Sequence, residues 1–558
     1  MDDEREAAEE LLTRLEQMGA AEPVALAGPL QLISELRAAD HAQVEELLPA
    51  LAWQTAGAVA AADDILEALG APWHWTPSAT EEQAWLQELR KGLDTFAKMC
   101  WFLRFGYTSG AVALARQFIE RWTFNLSSTR DIWPDGEEEY DDFLRRVWSV
   151  YPAMVDGRDF GQEWADLSEL LHGRSITRSG RTVSIGLHAD AADRADVHEL
   201  VVAAAEMALR QVRGAIDTAH AGTAAVTPIS HGSLQLRVEK FPPTSPPDFL
   251  TVIAPPLDYG FVTSELAGTI SSWGATYRRI VADRSKDPVN VLTFAWMAIE
   301  ERWARAIDHA NQSFDDEQRM LGDAFSPVTH DAIILFYRCI TEMTELVAVS
   351  SAPGARTAAL QAAAAALESA WVLWLQDVDE SLICMRTVLE NTARARTHRL
   401  KPNRAAALER RGAATTPHRW LDAAGWGRLS AFNRALGEFS HTQARSRHEA
   451  ARDLLTSVQR GETVSAEHTA RARALEEVAT MLAHETAASL QLTHPRLAVA
   501  FRKLILNADE LNADDDLNVW LDHGLQFRSF DFGPALLDRA AERRRAYEET
   551  AHGMQAEP

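Results

Sequence analysis

The sequence predicts a mainly α-helical protein: two repeated helical-bundle domains with a small α+β insert between them. Three observations carry that expectation. The first is an internal repeat. Arg116-Gln-Phe-Ile-Glu120 is followed by Ser168-Glu-Leu-Leu-His172, and Arg386-Thr-Val-Leu-Glu390 by Gly437-Glu-Phe-Ser-His441. Arginine and histidine stand 56 positions apart in one copy (116 to 172) and 55 in the other (386 to 441). Self-similarity of this kind constrains the architecture before any single motif does. The second is apolar spacing of helical period, as in Val289–Ala310, where Trp296 and Trp303 share a face. The third is a change of character over 181–260, where β-branched residues alternate or cluster.

In chain order, residues 1–70 read as an N-terminal helical appendage, with Ala7–Leu15 at helical spacing and Pro23 and Pro29 punctuating the next stretch. Residues 71–180 form the first repeat. Ser78-Ala-Thr-Glu81 has capping-box spacing for a helix running to about Phe105, and Gly106–Gly110 breaks it. A helix then carries Arg116 and Glu120, an acidic loop spans Asp131 to Asp142, and a last helix reaches His172, where Gly173 can stop it. The insert, 181–260, reads as strands at Arg181–Leu187, Leu234–Glu239 and Phe249–Ile253, a helix at Val197–Ala219, and a stiff link at Phe241–Pro247. Connecting helices fill 261–352. The second repeat spans 353–460, its long helical stretch from Arg356 interrupted at Gln376–Asp379. A helical tail domain occupies 461–558; Asn512–Asp516 lacks the glycine and ligand spacing of a calcium loop.

Composition narrows the function. The formal net charge of −26 argues against nucleic acid spread over the surface at large. Three cysteines without metal or disulfide spacing, and an acidic start where a signal peptide would be basic and then apolar, point to the cytoplasm. The most apolar run, Leu360–Leu375, is too short for a bilayer, so no membrane partner is expected. No P-loop, dinucleotide fingerprint or Gly-x-Ser-x-Gly elbow occurs.

The repeated residues carry the candidate chemistry. Arg-x-x-x-Glu sets Arg116 beside Glu120, and Arg386 beside Glu390, one turn apart on a helical face amid apolar neighbours. Semi-buried ion pairs of this kind need a further partner, and His172 and His441 are the candidates. Glu169 with His172, and Glu438 with His441, give two Glu-x-x-His pairs. With lone Glu120 and Glu390, this inventory resembles the ferritin-like carboxylate bundles, a likeness that implies two Fe or Mn ions and oxidase or oxygenase chemistry. The arginine one turn before each lone glutamate competes with a cation for the carboxylate.

A second resemblance, covering roughly 200 residues in two pieces, is to HEPN-type helical domains, whose ribonuclease members place an Arg a few residues before a His. Arg434 and His441 fit that layout, whereas Ala165 stands at the position matching Arg434 in the first copy. The resemblance implies paired bundles with no metal and a site at their junction. There His172 and His441 would face each other, Arg434 or Arg174 would contact a phosphate, and a histidine would act on a 2′-hydroxyl. It implies a metal-independent ribonuclease or a silent relative, acting in defence or stress on RNA or a nucleotide. A non-enzymatic scaffold with a protein partner and structural Arg–Glu–His networks is the third reading.

One contrast between the copies owes nothing to a family. The loop after Glu120 is acidic, whereas the stretch after Glu390 carries Arg394, Arg396, Arg399, Lys401, Arg404, Arg410, Arg411 and Arg419 against Glu409. Solvated faces explain such charge equally well as docking between the loops. In the sharper reading, Arg404, Arg410 and Arg411 form a local site for RNA or a nucleotide.

Overall fold

A computed structural model describes residues 95–96, 99, 102, 107–128, 140–150, 154–155, 158–178, 180–183, 185, 197, 200–201, 330–375, 380–412, 415–438 and 467–506. They are mainly helical. The helices are α1 (Thr108–Ser128), α2 (Tyr140–Val150), α3 (Phe160–Leu171), α4 (His330–Ser350), α5 (Ala355–Leu375), α6 (Glu380–Leu400), α7 (Pro402–Glu409), α8 (Pro417–Ala424), α9 (Ser430–Glu438), α10 (Glu467–Thr493) and α11 (Pro495–Phe501). Two short antiparallel pairs, a 3₁₀ turn at Gly427–Leu429 and a π-helical turn at Arg502–Leu506 accompany them. β1 (Met154–Val155) pairs with β2 (Arg158–Asp159), and β3 (Ile176–Arg178) pairs with β4 (Arg181–Val183) in the register Ile176–Val183. The second hairpin spans the 180/181 boundary drawn from sequence. Among the described residues no helix is long and apolar enough to cross a membrane. The appendage 1–70, the strands at 234–239 and 249–253, and His441 lie outside the described residues.

Helix α6 is the centre of the packing. It contacts α5 along its length, and α1, α7, α8, α9 and α10 around its sides. Helix α5 is rich in small side chains that permit close packing: Ala359, Ala362, Ala363, Ala366 and Ala370 are all buried. Helix α4 packs on α5, and α10 packs on both α4 and α6. Thus α10, from the stretch expected as a tail, belongs to the same bundle as α4–α6. On the other side, α1 bridges α3 to α5 and α6. Gly110 permits that approach: its N–H donates to Ser369 Oγ at 2.9 Å, and a Cβ there would stand 2.3 Å from the Phe102 ring.

Helix α6 is also polar. Ser381, Thr387, Glu390, Asn391, Thr392, Arg394, Arg396 and Thr397 are buried along it. Its threonines are satisfied within the helix, Thr387, Thr392 and Thr397 each donating to the carbonyl four residues back. Its charged groups reach outward: Arg399 donates to both oxygens of fully buried Glu485 on α10. The stretch expected as a basic loop is therefore largely helix. Arg394, Arg396 and Arg399 belong to α6, because the apolar and small residues between them continue its packing against neighbours.

Helix α3 ends in a Schellman motif. Gly173 N–H donates to the Leu170 carbonyl and Arg174 N–H to that of Glu169, which makes His172 the C-cap. Gly173 has φ +65°, and a Cβ there would stand 2.0 Å from Oδ1 of Asn391 on α6. Gly425 has φ +84° with open space around it. Chemical denaturation should show Gly425→Ala losing about 1 kcal/mol, the left-handed backbone cost. Gly173→Ala should lose clearly more, and adding Asn391→Ala should recover only the steric share.

Candidate functional site

Three contacts tie the end of α3 to the α6–α8 region. His172 Nδ1 lies 2.8 Å from Glu390 Oε2, the Gly173 carbonyl accepts from Arg394 Nη1, and Arg174 Nη2 donates to the Thr415 carbonyl. Glu390 is the hub. Its Oε1 accepts from Arg386 Nε at 2.7 Å and from Asn433 Nδ2 at 3.3 Å. Burial would push this carboxyl up, but Arg386 and His172 together bring it down to about 2. An ionised carboxylate only accepts, so Nδ1 of His172 must be the donor. The tautomer is thereby fixed, with Nε2 left as the basic nitrogen of the neutral ring. The His172 side chain is 30% exposed, which leaves it within reach of a ligand.

The first Arg–Glu pair is built alike but sealed. Arg116 Nη2 lies 3.0 Å from Glu120 Oε1, which also accepts from Trp164 Nε1 at 3.0 Å. Arg116 stacks over the Trp164 ring, 5.0 Å from its centroid, and Glu120 is fully buried. Trp164 and Asn433 each stand eight positions before the histidine of their own motif. Sequence reasoning missed both donors, although that shared offset could have found them.

The second pair opens into a cleft of about 510 Å³, lined by Arg386, His418, Ser430, Asn433, Arg434 and Glu438 among others. Asn433 is 6% exposed; its Nδ2 is held by Glu390 while its Oδ1 has no hydrogen-bond partner. At the cleft edge, His418 Nδ1 lies 2.6 Å from Ser430 Oγ, and His418 Nε2 lies 3.1 Å from Asp422 Oδ2. The His418–Asp422 spacing of four was readable on a helix; Ser430, brought in by a later turn, was not.

The remaining candidates separate into internal and surface groups. Arg174 donates from Nη1 to Glu169. Arg394 binds both oxygens of Glu409, which also meets His398 at 3.0 Å. Burial would raise the Glu409 carboxyl, but His398 and Arg394 bring it down to about 2. Arg396 and Lys401 donate to the carbonyls of Ala424 and Ala423. Arg404, Arg410, Arg411 and Arg434 are exposed. For the carboxylate-bundle set, Glu120 and Glu390 stand against guanidinium groups, Glu169 against Arg174, and Glu438 lines the cleft. Among the described residues no three His, Cys, Asp or Glu side chains are grouped to hold a metal ion. Comparison with family models, curated proteins and solved structures finds no match to this chain.

The depressed carboxyls set an acid limit. Their stabilisation is fully present above the unfolded carboxyl value of about 4.3 and is lost as pH falls toward 2. Denaturation midpoints should therefore drop steeply between about pH 5 and pH 2. Glu390→Gln should flatten that fall and cost about 3 kcal/mol at neutral pH, because Arg386 loses its counter-charge and His172 the anionic acceptor of its Nδ1 proton.

Proposed function

We propose that the chain is a tandem HEPN-like repeat protein that binds RNA or a nucleotide at the junction of its two copies. The observation that carries this reading is the seating of His172, from the first motif, on Glu390, from the second. Arg386 extends from that same carboxylate into a cleft that Arg434 also lines. The repeat is supported by the matching bonds Trp164 to Glu120 and Asn433 to Glu390, spanning 44 and 43 positions. Two guanidinium groups in one cleft suit a phosphate, which they meet with planar, bidentate donors. An imidazole whose Nδ1 is anchored on a carboxylate suits removal of a proton from a ribose hydroxyl. Arg404, Arg410 and Arg411 are exposed cations on a chain of net charge −26 and offer further contacts to an anionic ligand.

A scaffold reading is favoured by one observation: Arg394, Arg396, Arg399 and Lys401 are all bound within the chain. The two readings predict different behaviour. Under the first, a labelled single-stranded RNA binds the full chain, weakens with salt, and binds about ten-fold more weakly to Arg434→Ala, as expected for one lost phosphate contact. Cleavage, monitored by gel, disappears in His172→Ala and His441→Ala while binding persists; binding without cleavage restricts the function to recognition. RNA and nucleotides both ignored by the folded chain at low salt leave the scaffold reading in place. Two Fe or Mn ions per purified chain would replace both with the carboxylate-bundle reading.

A further inference from the structure

We infer that the cleft edge carries a second chemistry: Ser430 is a nucleophile for acyl transfer, with His418 as its base and Asp422 as the residue that positions the base. A nucleophile within hydrogen-bond reach of a base, itself oriented by a third group, is the geometric signature of an activated serine, whatever the order in the chain. Here Ser430 Oγ stands 2.6 Å from His418 Nδ1, and His418 Nε2 stands 3.1 Å from Asp422 Oδ2. The carboxylate of Asp422 accepts the Nε2 proton and leaves the Nδ1 lone pair toward the hydroxyl. The ring is thus used in the opposite sense to His172, whose Nδ1 faces its carboxylate. Ser430 Oγ also lies 2.7 Å from the Gly427 carbonyl, a second acceptor that competes with Nδ1 for the one hydroxyl proton, and the reactive rotamer is the one that donates to Nδ1.

The local backbone builds this array for structural reasons that do not depend on catalysis. Gly425, left-handed at φ +84°, ends α8, and the 3₁₀ turn Gly427–Leu429 returns the chain so that Ser430 opens α9 beside the first turn of α8. Gly427 passes close to Asp422, where a Cβ would stand 2.5 Å from Oδ1. The serine and the histidine both line the cleft, together with Arg386, Arg434 and Asn433.

The lining defines the substrate class. Arg434, exposed on the cleft wall, favours a substrate with a negative group; Arg386 is already paired with Glu390, and acidic Glu438 also lines the cleft. The unpartnered Oδ1 of Asn433 accepts from a substrate N–H or O–H. The substrate is therefore an acyl ester bearing a carboxylate or phosphate. In the first step the Ser430 Oγ–acyl carbon bond forms and the ester C–O bond breaks. The serine proton passes through His418 Nδ1 to the departing alkoxide. In the second step water attacks the acyl-enzyme by the same route, releasing the carboxylic acid and restoring Ser430. His418 is 61% exposed on its side chain, so that water is supplied from bulk solvent.

The test uses the full chain and a fluorophosphonate probe, with 4-nitrophenyl hemisuccinate as anionic ester and 4-nitrophenyl butyrate as its neutral counterpart. Mass mapping of the unmodified protein should place the adduct on Ser430. Ser430→Ala should remove it, and His418→Ala should slow ester hydrolysis about 100-fold or more. Arg434→Ala should abolish the preference for the anionic ester. Asp422→Asn should lower kcat with KM unchanged, a split that a purely structural role would not give. The inference is overturned if the folded wild-type chain carries no adduct at Ser430, or if Ser430→Ala hydrolyses both esters at the wild-type rate. The mapping needs no variant, so a misfolded mutant cannot obscure it. RNA binding is read separately and does not decide this outcome.

Discussion

The structure depends on the desolvation of a polar helix. α6 is covered on nearly every side, yet beside buried apolar residues such as Leu382, Met385, Val388 and Leu389 it carries carboxylate, guanidinium and amide groups. A buried polar group without a partner is costly, and a buried charge more so. Several neighbours of α6 accordingly supply an acceptor or a donor. The α3 end gives His172 and a carbonyl, α7 gives Glu409, α9 gives Asn433 and α10 gives Glu485. The packing of these helices brings the charges on α6 to partners, and buried alanines on α5 permit close approach.

The two Arg–Glu pairs show how one device can be closed or opened by a single neighbour. Over Glu120 the third partner is Trp164, which donates one hydrogen bond and covers Arg116 with its ring. Over Glu390 the third partner is Asn433, which donates the equivalent bond but is too small to cover Arg386. The arginine side chain is 10% exposed in the first case and 22% in the second, and only the second lines the cleft. Exposure follows from the covering side chain rather than from the ion pair itself.

Much of the fold is legible in the sequence, and the reasons are local. The break before α6, the stop at Gly173 and the one-turn Arg–Glu pairs all follow from spacing within one or two helical turns. The partnership of His172 is not legible. The sequence offers His172 as a further partner for an Arg–Glu pair without saying which, and the structure seats it on Glu390, 218 positions away. That choice is made by the path of the chain between helices, which no periodicity encodes. The run of arginines after Glu390 misleads for a related reason. Charge content suggests solvated loops, but Arg394, Arg396 and Arg399 find fixed acceptors and become interior residues. Ser430, His418 and Asp422 escape notice because a turn of three residues, not a motif, brings them together.

Several of the contacts around α6 end on main-chain oxygens: Arg394 on Gly173, Arg396 on Ala424, Arg174 on Thr415 and Lys401 on Ala423. A peptide carbonyl persists whatever side chain its residue carries. Among divergent descendants of such a chain, the cation can stay constant while the opposite position drifts, Gly173 excepted because its backbone requires glycine. Correlated substitution, which traces contacts through paired change, would therefore under-report this interface, and a static cation facing a variable neighbour would be its evolutionary trace.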